Sequence, residues 1–268
     1  MSQDVRALIG YSQRTEKKPY FYANAHEKDF VPLTPAEVLI RDAREAGCCL
    51  GREGFTLVDH ASKVADLTDL EAVAATHTAE VQDLLLAVSG ADRVDMFSRG
   101  ILRFSERAGT NDAHDNSHPA RFVHVDMSVA AARAARDAGA PKDREVVRSV
   151  QYNVWRVLSP PPQDVPLALC AFDSIAMDDL IDCDAIFDPP GGAPEWSFGN
   201  YLLAANPAHR WYYYPDMHVG EALVFVTSES DPARPLLMPH GAFDNPLAGP
   251  DTPPRISLEM RGTAYWLA

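Results

Sequence analysis

Cysteine is scarce: four in 268 residues, two of them adjacent (Cys48, Cys49) and two thirteen positions apart (Cys170, Cys183). That rules out a disulfide lattice, and without a CxxC pair there is no zinc-ribbon spacing either. All four read as small buried hydrophobes with no chemistry of their own. No apolar run approaches the ~20 residues that span a bilayer. The first thirty residues also lack the apolar stretch of a secretory signal, so no membrane partner is expected and the expected location is cytoplasmic. Basic residues are outnumbered 24 to 38, and the net charge of −14 repels a phosphate backbone, which argues against nucleic acid as a partner. Internal repeats, low-complexity stretches and a dividing linker are all missing, so residues 1–268 are read as one domain. Oligomeric state is not legible at this level.

What is present is a globular composition, 46 % apolar and 23 % charged. Residues 1–34 carry aromatics without clear periodicity and read as an extended arm. Residues 35–92 read as a helical layer. A capped start at Thr34-Pro35-Ala36-Glu37 predicts a helix running to Gly47, residues 54–60 predict a strand, and a capping box at Thr68-Asp69-Leu70-Glu71 opens a helix that Gly90 ends. In that second helix Leu70, Val73, Ala74, His77, Val81, Leu84, Leu85 and Val88 form one stripe, so His77 is expected to pack rather than to ligate. Beyond Gly90 the pattern becomes strand-dominated. Strands are expected over 96–105, 121–129, 147–158, 167–172, 211–214, 222–227 and 255–267, with a polar loop over 106–120 and a short alanine-rich helix over 130–139. The fold class is therefore mainly β with flanking α: residues 93–268 form a sandwich or barrel, with N-terminal helices packed outside.

The chemistry concentrates in two strands. Along Phe122-Val123-His124-Val125-Asp126-Met127-Ser128-Val129, side chains alternate between faces, so His124 and Asp126 project in parallel from one face while valines line the other. A histidine and a carboxylate so placed make two-thirds of a 2-His-1-carboxylate triad, which leaves positions open on non-haem Fe(II). Alone, this pair is as compatible with a structural hydrogen bond. Its weight comes from the C-terminal end, where His240 is followed fifteen positions later by Arg255, with Ser257 two further on. Arg255, Ser257, Glu259 and Arg261 alternate with Ile256, Leu258 and Met260, and a row of polar residues on one strand face needs a polar cavity or solvent. An arginine with a hydroxyl two residues on suits a carboxylate, through paired charged hydrogen bonds and a third from serine. HxD, a distant His and a downstream RxS is the order used by Fe(II)/2-oxoglutarate oxygenases of the double-stranded β-helix class.

The stretches Asn153-Val154-Trp155-Arg156, Pro166-Leu167-Ala168-Leu169-Cys170, His209-Arg210-Trp211-Tyr212-Tyr213-Tyr214-Pro215, Pro239-His240-Gly241-Ala242-Phe243 and Pro254-Arg255-Ile256-Ser257 resemble the CmcJ/AsaB-type hydroxylase/desaturase family, over roughly residues 15–265. The resemblance implies a 2-oxoglutarate-dependent dioxygenase of secondary metabolite biosynthesis that hydroxylates, desaturates or cyclises a small molecule. By analogy His124, Asp126 and His240 would be the catalytic iron ligands, and Arg255 and Ser257 the 2-oxoglutarate clamp. Family members often carry Arg-Glu-Ser at the clamp; Arg255-Ile256-Ser257 keeps both polar contacts and drops the carboxylate. For the substrate, Arg156, Asn153 and Tyr213 are the candidates, with Arg156 expected to bind an anionic or carbonyl group. Because Asn153 and Trp155 share one strand face and Arg156 the other, a bulge must turn one set inward if all of them line the cavity. The 106–120 loop, with His114 and His118, is the leading lid candidate, and the loop over 188–196 the second. Two rivals remain: a non-catalytic cupin-like binding protein, and a metal-dependent isomerase or hydrolase using the same triad without a keto acid.

Overall fold

The computed structural model describes residues 2–108, 118–189, 191, 193–234 and 236–268. In chain order its strands are β1 (Val5–Ile9), β2 (Tyr20–Tyr22), β3 (Ala36–Asp42), β4 (Phe55–Asp59), β5 (Arg93–Met96), β6 (Ile101–Phe104), β7 (His124–Val125), β8 (Val146–Val157), β9 (Leu167–Cys170), β10 (Leu180–Phe187), β11 (Trp196–Leu203), β12 (Trp211–Tyr213), β13 (Glu221–Glu229), β14 (His240–Ala242) and β15 (Ile256–Leu267). Helical segments are α1 (Ala43–Ala46), α2 (Leu70–Ala72), α3 (Thr78–Ser89) and α4 (Val129–Gly139), with a π-helical turn Val73–His77 joining α2 to α3. Nine strands form one sheet in the order β1-β3-β12-β9-β14-β7-β11-β10-β2, and β4-β13-β8-β15-β5 form the second, with β6 also paired to β15. The two sheets face each other as a jelly roll. Among the described residues, no helix is long and apolar enough to cross a membrane.

Period-2 burial assigns each sheet two faces. On the smaller sheet Tyr152, Val154, Val224, Leu258 and Met260 point outward and pack beneath Val73, Val81, Leu84 and Leu85 of the helical segment. Each large side chain so buried contributes roughly 1.5–3 kcal/mol, which is what holds the helices on the sheet. Gly262 lies at this contact: a Cβ there would stand 2.8 Å from the Met96 sulfur and 3.0 Å from Leu85, so a larger residue would push those side-chain ends aside. The opposite face of the sheet carries Trp155, Val157, Leu223 and Phe225, which meet Leu169, Ala171 and Met238 between the sheets.

The segment read as an extended arm is paired into the large sheet. β1 pairs antiparallel with β3, β2 pairs parallel with β10, and just past β1 the Gly10 carbonyl accepts from Val123 N while Ser12 N donates to Leu203 O. The large sheet thus curls over and closes a further apolar core around Ile9, Tyr11, Val123, Val125, Trp211 and Phe243. A Cβ at Gly10 would fall 2.1 Å from the Arg121 carbonyl oxygen, so this crossing also requires glycine.

Other expectations change as well. The helix over 34–47 is instead strand β3 followed by a single helical turn, capped by the Asp42 side chain and stopped by Gly47 at φ 61°. Ala36-Glu37-Val38-Leu39-Ile40 alternates, and pairing on both sides, with β1 and β12, outweighs the capping signal. The second helix starts one residue later than expected, because Asp69 rather than Thr68 caps the Glu71 and Ala72 amides. The strand over 96–105 is broken into β5 and β6, with Gly100 at φ 102° between them. β7 is only two residues long, and Ser128, expected to be in strand, caps α4.

Candidate metal centre

β7 lies between β11 and β14, and its register places His124 directly opposite both Leu202 and His240. Directly opposite residues share a face, so the two imidazoles meet with ring centroids 4.4 Å apart. Asp126, two residues on, follows from the same face. Nδ1 of His124 donates to Phe122 O at 3.2 Å and Nδ1 of His240 donates to Met238 O at 2.8 Å. A carbonyl can only accept, so these bonds fix both tautomers and leave each Nε2 lone pair free toward Asp126. The Nε2 to Oδ1 separations are 3.7 and 3.8 Å, and the three ligand atoms lie within 4.8 Å of one another. Two neutral imidazoles and one carboxylate on one side of a point form the donor set of the facial triad, with the opposite side open.

The carboxylate is held from behind. Asn153 Nδ2 donates to Asp126 Oδ2 at 2.7 Å, and Arg261 Nη2 stands 3.3 Å from Oδ1 while also pairing with Glu259 at 2.7 Å. Burial works to raise the Asp126 pKa, but Arg261, the two histidines and the Asn153 amide outweigh it and hold the group well below the usual carboxylate range. At His124 burial disfavours the imidazolium, neighbouring His240 adds to this, and the pKa is pushed down to about 3 despite Asp126. A metal therefore meets no competing proton on His124 at neutral pH.

Arg255 lines the same cavity, and Ser257 follows two residues on along β15, between Arg255 and the lining residue Glu259. Arg255 is 2 % exposed, stands over the Trp155 ring at 5.5 Å and donates one side-chain hydrogen bond, to Val165 O at 2.5 Å. Its Nε and the Ser257 hydroxyl are buried without any partner. Arg103, opposite Ser257 across β6 and β15, lines the cavity too. Among the described lining residues, the guanidiniums of Arg103, Arg255 and Arg261 stand against the carboxylates of Asp126 and Glu259. Orphaned donors and surplus positive charge beside a metal triad fit a carboxylate-bearing cosubstrate.

The substrate candidates separate. Asn153 reaches the site, where its amide donates to Asp126. Arg156 faces the other way. β8 and β15 pair without interruption from Val157↔Ser257 to Arg148↔Trp266, and the one irregularity against β13 falls at Val226/Ser228, opposite Gln151 and Tyr152. No bulge turns Arg156 inward; it lies under the helical layer, bonding His60 O at 3.1 Å and His60 Nδ1 at 2.7 Å. Tyr213 is displaced as well: its hydroxyl donates to Gln3 O at 2.6 Å and its ring packs against Phe243 in the outer core. His114 lies outside the described residues, and His118 bonds Phe104 O.

Glu259 and Arg261 reach the centre through the polar alternation of β15 that the sequence shows, although neither was given a site role there; Arg103 was not expected, because it depends on a strand pairing that no local pattern announces. Asn200 is a further surprise: it is 1 % exposed, both amide atoms lack partners, and it lies two residues from Leu202 on the face of His124.

With this geometry in hand, comparison with known proteins is informative. A family model described as Oxidoreductase/YMDC permease-like domain matches residues 9–265. The alpha-ketoglutarate-dependent dioxygenase phiK of Fungal sp. (strain ATCC 74256) is 28 % identical over 232 residues, 84 % of this chain and 82 % of the relative. The Fe(II)/2-oxoglutarate-dependent dioxygenase nvfI of Aspergillus novofumigatus is 29 % identical over 241 residues, 85 % and 82 % of the two chains. Among solved structures, the iron and alpha-ketoglutarate-dependent endoperoxidase NvfI superposes with a TM-score of 0.82 at 24 % identity, covering 99 % of this chain and 98 % of that one. That likeness establishes the shared jelly-roll fold.

Proposed function

The chain belongs to the Oxidoreductase/YMDC permease-like domain family, and from that membership, the activities of its relatives and its own ligand cluster we infer a non-haem Fe(II)- and 2-oxoglutarate-dependent dioxygenase acting on a small molecule. Residues 9–265 then work as one catalytic unit, and the free thiols of all four cysteines suit a reducing cytoplasm. The observation that carries the reading is the orphaned Arg255 Nε in the cavity that His124, Asp126 and His240 line, with the unpartnered Ser257 hydroxyl two residues on along the same strand.

When bound, Fe(II) and 2-oxoglutarate supply the activation of O₂ that lets an unactivated C–H bond be oxidised, by hydroxylation, desaturation or ring closure. The chain's own residues do the rest. His124, Asp126 and His240 hold the metal from one side, with their tautomers and charge fixed by the bonds to Phe122, Met238, Asn153 and Arg261. Arg255 and Ser257 take the far carboxylate of the cosubstrate, and Trp155 and Leu167 in the cavity wall exclude water. A cupin-like binding protein or a keto-acid-independent hydrolase has no use for a buried guanidinium kept short of partners at this place. The test is the absorption of anaerobic protein with Fe(II) and 2-oxoglutarate. A weak band in the green that needs both additions is expected, and its absence at saturating concentrations overturns the reading.

A further inference from the structure

A cavity of about 450 Å³ lies next to the metal centre and shares Arg261 with it. Its position follows from strand register. Along β8 and β15 the pairs Gln151↔Thr263, Asn153↔Arg261 and Trp155↔Glu259 succeed one another on a single face, each about 7 Å beyond the last. The middle pair grips Asp126. On one side of it lie Glu259, Ser257 and Arg255; on the other, Gln151 and Thr263 form the inner end of the cavity. The facing sheet repeats the order, for Trp196, Phe198 and Asn200 of β11 lead along one face to Leu202, which stands opposite His124.

The lining differs in kind from that of the metal pocket. Phe187 and Trp196, paired across β10 and β11, stack at 4.2 Å and 11°, and Phe198 continues the stack at 5.4 Å from Phe187. Phe97, Ile101, Met127 and Tyr265 complete the apolar wall. Two described lining residues carry charge, and both are matched already: Asp95 by Arg93 at 2.8 Å, and Arg261 by Glu259 and Asp126. Gln151 and Thr263 offer only neutral hydrogen-bonding groups. An anionic substrate would be desolvated here with no cation to receive it.

Resting on the oxygenase reading above, we propose that this cavity is the primary-substrate site and that it takes an uncharged, ring-bearing, largely apolar molecule. Its flat body lies on the Phe187–Trp196–Phe198 wall, and a neutral hydroxyl or carbonyl faces Gln151 and Thr263. The volume suits a ligand of ordinary metabolite size. Charge is thereby partitioned across Asn153 and Arg261: the dianionic cosubstrate goes to the side of the three arginines, the neutral substrate to the aromatic side. Phe187 at the end of β10 and Trp196 at the start of β11 supply the wall.

The test uses two fluorescent probes with the same ring system and metal-free protein. N-phenyl-1-naphthylamine, which is neutral, is expected to bind one-to-one, at least tenfold more tightly than 1-anilinonaphthalene-8-sulfonate. Trp196→Ala, which removes the stacking wall, and Ala135→Trp, which fills the cavity from α4, should each weaken the neutral probe about tenfold. Neutral-probe binding that neither variant weakens overturns the proposal, as does equally tight sulfonate binding that 2-oxoglutarate fails to displace. The green band of wild-type protein is read in parallel. Intact, variant-sensitive probe binding without that band overturns the oxygenase reading and leaves the cavity as a site for neutral ring compounds.

Discussion

Replacing Arg255 with methionine separates binding from folding, because the two should move in opposite directions. Arg255 is buried, makes one side-chain hydrogen bond to a neutral carbonyl and leaves Nε without an acceptor. Burial, with Arg103 and Arg121 adding repulsion, pulls its pKa from 12.5 down to about 9. That displacement corresponds to a folding cost of the order of 5 kcal/mol while the group is charged. Methionine keeps most of the volume and removes the charge, so the cosubstrate-free variant should be no less stable than wild type and is expected to melt higher. Binding should move the other way. A buried carboxylate that loses its charged partner costs about 3–5 kcal/mol, so the Kd for 2-oxoglutarate should rise by a factor of roughly 150 to 5,000. Calorimetric titration of the Mn(II)-loaded protein with 2-oxoglutarate reads the affinity, and thermal unfolding of the same preparations reads the stability. A Kd within about fivefold of wild type refutes the clamp; a large fall in melting temperature refutes the claim that the charge is held at a cost.

Asp126→Ala should abolish the several-degree rise in melting temperature that saturating Mn(II) gives wild type, and an equal rise in the variant would remove Asp126 from the ligand set. Arg156→Ala should cost on the order of 3 kcal/mol in urea unfolding, because it strips the bonds to His60 and opens a void under the helices, while leaving 2-oxoglutarate affinity unchanged; a stable variant with impaired coupling of succinate to product would return Arg156 to the site. Below pH 6.5 the metal-free protein should lose stability progressively toward pH 3, since unfolding lets His124 take up a proton that the folded site refuses. His124→Asn should flatten that part of the pH profile, and an unaltered slope would contradict the assignment.

Most of the candidate site was legible because its determinants are local, although His240 meets His124 only through the β7–β14 pairing. His124 and Asp126 share a face through the two-residue period of any strand, and so do Arg255, Ser257, Glu259 and Arg261; no knowledge of neighbours is needed to pair them. The same rule held the correction to Arg156, which lies one residue from Trp155 and therefore on the other face. Only the uninterrupted β8–β15 ladder decided that no bulge rescues it. Chemistry and spacing along the chain thus determined which residue types could hold iron and a keto acid, and the family they resemble.

What the sequence could not determine is which surface covers each face, since that depends on pairings between residues far apart in the chain. Residues 36–42 carry a helix-start signal and alternation together, and partners on both sides selected the strand. Tyr213 became an outer-core residue because β1 and its crossing curl the large sheet over it. The proposed substrate cavity is assembled from β5, β6, β8, β10, β11, β15 and α4, none of which shows a pocket alone. Local periodicity fixed the direction of each side chain; burial of apolar area across distant strands, a collective quantity, fixed what each one meets.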